Sequence, residues 1–133
     1  MFDTGALHNP HLKNIGRSPY ELGNLLRLLP SDFSAHSAAT PEHILIADAA
    51  LYHAGNSNST LMRGLEGLGH LMYVAGDNKD HEIDSTAIAN LGELLQHLAV
   101  EAQFMQETRN NLAGALQTQR RRVNVSTQEA SHV

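Results

Sequence analysis

At 133 residues, 41% of them hydrophobic and 17% charged, the chain has the length and apolar content of one folded domain, which excludes wholesale disorder. It contains no Cys, which excludes a disulfide framework, a cysteine zinc site, a thiol nucleophile and a thiolate-held iron–sulfur cluster. The formal charge of -5 disfavours a general phosphate-binding surface, because such surfaces depend on Lys and Arg to neutralise phosphates, and it is too mild for a mimic of nucleic acid.

Aromatic residues make up 5% with no Trp, and Leu, Ala and Met dominate the apolar set, so the composition favours helix over strand. The N-terminus lacks a positive region followed by an apolar run, and no stretch approaches ~18 uninterrupted apolar residues. The expectation is a cytoplasmic protein without a membrane span.

Residues 1–17 carry Gly5, Pro10 and Gly16 without a sustained period and read as an irregular arm. Ser18-Pro19-Tyr20-Glu21 then predicts a capping box at the start of a first helix, with Leu22, Leu25, Leu26 and Leu29 on one stripe and Pro30 as its stop. Thr40-Pro41-Glu42-His43 starts a second helix, with Ile44, Ala47, Leu51 and Ala54 at helical spacing and Gly55 as its C-terminal cap. Ser59 or Thr60 opens a third, carrying Leu61, Leu65, Leu68 and Met72, and Gly76-Asp77-Asn78 closes it. Gly64, Gly67 and Gly69 lie inside this helix, and each costs on the order of 1 kcal/mol relative to Ala. Helix 3 therefore needs tertiary support, such as the close backbone approach of a neighbour.

The fourth element starts at Asp84-Ser85-Thr86, and no proline interrupts residues 84–119. Ile88, Leu91, Leu95, Leu98, Ala102, Met105, Arg109, Leu112 and Leu116 fall on alternating three- and four-residue steps, a heptad-like seam of the coiled-coil kind. From Arg120 onward the period is lost, and residues 120–133 read as a flexible tail. The predicted fold is all-α: a single helical domain over residues 18–119, built as a small bundle of about four helices in which helices 3 and 4 form an antiparallel hairpin.

A helix over residues 85–119 is roughly 50 Å long, while the three before it are roughly 16, 21 and 25 Å. Helix 3 covers about half of the long one. The remainder of the seam, with Leu98, Met105, Arg109, Leu112 and Leu116, is the expected interface of a homodimer unless helices 1 and 2 stack along it.

Nine histidines raise the question of a metal site. Glu66 with His70, and Glu93 with His97 and then Glu101, place carboxylate and imidazole one turn apart, as metal-binding bundles do. The phase opposes it: at 100° per residue these groups fall outside the leucine stripes, and Glu-x-x-x-His departs from the Glu-x-x-His of di-iron bundles. No metal or other cofactor is expected.

No nucleophile elbow, Walker loop or dinucleotide fingerprint is present, and Gly64-x-x-Gly67-x-Gly69 has neither a preceding strand nor a Lys. Arg120-Arg121-Arg122 is the one basic cluster. It reads as cations at a helix C-terminus, with a DNA contact by a dimer as the functional alternative. The span from Ser59 to Ala75, a turn, and Asp84 to Met105 resembles small helical-hairpin proteins of proteobacteria and their mobile elements, without a motif from which any residue's role transfers. The function expected from the sequence is a non-catalytic protein–protein interaction module, an adaptor, regulator or inhibitor. A histidine–carboxylate metalloprotein and a dimeric DNA-binding regulator stand as alternatives.

Overall fold

The computed structural model describes residues 9–34, 38–80 and 83–130, which carry three α-helices and no strand. They are α1 (Ser18–Leu28), α2 (Pro41–Asp77) and α3 (Ser85–Ala130). The first eight residues of the expected arm and the last three of the expected tail lie outside the described residues. No described helix is long and apolar enough to cross a membrane.

A single 3-10 turn over Ile15–Arg17 leads into α1. The capping box expected at Ser18 does not form. Ser18 is the first helical residue, its hydroxyl donates back to the Ile15 carbonyl at 2.6 Å, and Glu21 instead accepts from Asn14 Nδ2 at 3.0 Å. At Thr40 the box does form, with an unexpected partner. Thr40 Oγ1 accepts from the His43 amide at 3.2 Å, while His43 Nδ1 accepts from the Thr40 amide. An imidazole does here what Glu usually does. Leu29 turns extended ahead of Pro30, which ends α1 where the sequence places the stop.

The expected count of four helices is corrected to three, because the second and third are one helix. The Gly55 to Asn58 stretch is a poor helix former, yet it stays helical because Gly55, Asn56 and Asn58 are engaged from outside and Ser57 is buried. The Arg109 side chain lies over Gly55, Asn56 Nδ2 donates to Ser18 Oγ at 2.9 Å, Ser57 is buried, and Asn58 Nδ2 donates to Gln106 Oε1 at 3.1 Å. Tertiary contact outweighs local propensity at this point. At the other end, α3 runs past residue 119 to Ala130. Gln119 donates to the Ser34 carbonyl at 3.0 Å, and Arg120 pairs with Asp48 at 2.7 Å.

The core gathers Leu22 and Leu25 from α1, Ile46, Ala47, Ala49, Ala50 and Ala54 from α2, and Met105, Leu112 and Leu116 from α3. The alanines let α1 and α3 come close to the first half of α2, and the large leucines fill the space between. Cross-helix contacts join Asp48 to Arg120, Gly55 to Arg109 and Asn58 to Gln106, so residue numbers rise along α2 as they fall along α3. The main cluster contains no residue of α2 past Ala54, with Leu61 packed at its margin, and on α3 the buried apolar residues begin at Ala102. Beyond that point both helices run on, with Leu65 of α2 and Ala99 and Ala102 of α3 lining one shallow hollow, and this stretch is called the arm below.

Candidate functional site

Where α1 begins, a polar node is buried. His53 is 0% exposed and Ser18 2%. The single hydroxyl hydrogen of Ser18 goes to the Ile15 carbonyl, so its oxygen accepts, from Asn56 Nδ2 and from His53 Nδ1 at 3.0 Å. Imidazole beside hydroxyl is the pairing of a nucleophile and its base. Here the proton runs the wrong way for activation, and neither group reaches solvent. The node ties the start of α1 to α2.

Burial holds the His53 imidazole below its usual range, since desolvation disfavours the cation; the Glu21 carboxylate and the Lys13 backbone oppose this more weakly. Nε2 is buried and makes no hydrogen bond, and neither does the buried Ser57 hydroxyl one turn on. A histidine kept neutral in the folded state, while the unfolded chain takes up its proton near 6.5, contributes stability that is present above that pH and lost as pH falls below it. Urea midpoints should therefore drop between pH 7.5 and 5.5, and drop less in His53→Gln. Equal drops in the two proteins would show that other groups carry the dependence.

On α2, His53, Ser57, Thr60, Gly64, Gly67, Leu71 and Val74 follow one another at three- and four-residue steps along one row. His53 and Ser57 are buried beside the start of α1, whereas Gly64, Gly67, Leu71 and Val74 are exposed, Leu71 by 65%. A Cβ added at Gly64 or Gly67 would meet nothing within 4 Å. The facing row of α3 behaves alike: Gln119 and Leu112 are buried, Glu101 is half-buried, and His97, Leu94 and Asn90 are exposed, with Phe104 at the edge. Together these rows make a slot. Near the core α1 fills it, and along the arm it is open.

The seam of the arm itself is thin. Leu61, Leu65 and Leu68 of α2 and Leu91, Leu95 and Leu98 of α3 are all only half-buried, since two helices alone leave their contact line open on both sides.

The candidate residues from the sequence fall out as follows. Met105, Leu112 and Leu116, expected at an interface, are covered by the chain's own α1 and α2. Leu98 is half-buried in the arm, and Arg109 is exposed over Gly55. Glu66, His70, Glu93 and His97 are exposed, and Glu101 is half-buried. Glu66 and His70 lie on the side of α2 away from the leucine stripe, and among the described residues no three His, Asp or Glu come together as a metal would need. In the basic cluster Arg120 is engaged by Asp48, while Arg121 and Arg122 are exposed.

An open hollow of about 1120 Å³ runs over the outer side of α2, past Asp48, Tyr52, Asn56, Asn58, Arg109 and Asn110. It is wide and shallow. Its one carboxylate, Asp48, is held by Arg120.

The slot residues Leu71, Val74, Leu94 and Phe104 are absent from the sequence-based candidates. The available signal was the continuation of the His53 row past Gly55, which is invisible once the helix is taken to stop there. Compared with known proteins, the chain matches no family model, no curated protein and no solved structure.

Proposed function

We propose that this chain is a non-catalytic protein–protein interaction module, an adaptor, regulator or inhibitor, homodimeric through the arm of α2 and α3. The observation that carries the reading is the apolar row that stays uncovered beyond the point where α1 begins, with Leu71, Val74, Leu94 and Phe104 each about half exposed or more. Large apolar side chains left this exposed along one row favour an association site over a solvated face, with His97 and Glu101 set between Leu94 and Phe104 as its polar members. The opposite order of the contacts along α2 and α3 supports an antiparallel hairpin as the scaffold, with the α1 end as anchor and the arm as the working end. A cysteine-free chain suits a reducing compartment, which favours the cytoplasm.

Sedimentation equilibrium of the full chain at micromolar concentration tests the reading. The expected mass is twice 14.5 kDa. A mass of 14.5 kDa at every concentration, with no tendency to associate, would remove self-association from the proposal.

A further inference from the structure

The homodimer proposed above leaves open which face of the arm is used and in which direction. Resting on that reading, we infer that the occupant of the open slot is the arm of a second copy, laid antiparallel, so that two arms close into a four-helix bundle about a two-fold axis near Gly67.

Three observations lead there. The first is area. The arm is about 27 Å long over roughly 18 residues per helix, and a face two helices wide offers on the order of 700 Å² per copy, close to the ~800 Å² per partner of a standard interface.

The second is steric. α1 occupies the core end of the same slot, with Ser18 at His53. Two arms laid side by side in the same direction would drive one α1 into the other. Laid antiparallel, each arm runs from the partner's α1 outward, and the midpoint of the open stretch between Ser57 and Asp77 is Gly67. No side chain stands there, so two α2 backbones can approach closely.

The third is charge. The tip of the arm is net acidic, with exposed Asp77, Asp80 and Asp84 against a single exposed Lys79, while the segment leading into α1 exposes Lys13 and Arg17. The antiparallel arrangement brings each tip to the partner's basic segment, and the parallel one would bring tip to tip.

The test uses the full chain, with circular dichroism to confirm that each variant stays helical. Leu71→Glu combined with Leu94→Glu places carboxylates in the slot at exposed positions, so the monomer should fold, and self-association should weaken at least about a hundredfold. Met62→Glu combined with Tyr73→Glu, on the opposite side of α2, should leave the dimer intact. Because the chain has no Cys, Gly67→Cys reports the axis directly and should cross-link to its own copy on mild oxidation.

A dimer that survives in the Leu71/Leu94 variant, or is lost in the Met62/Tyr73 variant instead, overturns the slot while leaving self-association standing. A dimer in which Gly67→Cys does not cross-link overturns the antiparallel arrangement. A wild-type monomer overturns this inference and the proposed homodimer together.

Discussion

Leu116→Asp is expected to leave the chain unfolded at 25 °C. Leu116 is 1% exposed and sits in the cluster with Leu22, Ala47, Ala50 and Leu112, where all three helices meet. An unpaired carboxylate buried there costs several kcal/mol, and the lost packing adds to it, against a total margin of about 5–15 kcal/mol for a domain of this size. Leu98→Asp makes the informative contrast. Leu98 carries the same side chain on the same seam but is half-buried in the arm, so its carboxylate can turn to water. The arm should loosen while the core keeps its cooperative urea transition. Equal damage from the two changes would mean that the arm and the core fold as one unit.

Leu22→Ala is expected to have the second largest effect, at about 2–5 kcal/mol. Leu22 is 1% exposed and, with Leu25, is how α1 enters the core. α1 has 11 residues, too few to hold a helix in water unaided. Its attachment therefore rests on those two leucines and on the Ser18, His53 and Asn56 node. The expected result is a lower urea midpoint together with early proteolysis in the segment before Pro41. Once α1 lets go, His53 gains water, so the acid sensitivity predicted for the wild type should shrink in this variant. A midpoint within 0.5 kcal/mol of wild type, about the spread of surface changes, would show that α1 does not hold the core together.

The start of α2, the end of α1 and the seam of α3 were legible in the residues themselves. Thr40-Pro41 and Pro30 act through local backbone chemistry, and the three- and four-residue steps from Leu91 to Leu116 are the period of one stripe, half-buried as far as Leu98 and buried beyond it apart from Arg109. The all-helical class was legible for the same reason. The continuity of α2 was not. Gly55-Asn56-Ser57-Asn58 reads as a stop on propensity, and becomes helix because Ser18, Gln106 and Arg109, distant in sequence, supply the partners.

The partner of Leu112 and Leu116 was open for a related reason. An uncovered seam can be buried by the same chain or by another, and periodicity does not say which. Burial by α1 and the first half of α2 depends on how far α1 reaches, which follows from the buried node at its first residue. That one length decides where the proposed association surface lies. The slot stays closed as far as α1 extends and opens beyond it, which leaves Gly64, Gly67, Leu71 and Leu94 as exposed surface. Local rules and periodicity thus reach as far as helix type, caps and stripes, because these depend on neighbours in sequence. Which stripe is covered, and by what, depends on contacts between residues tens of positions apart, and the tertiary structure alone carries them.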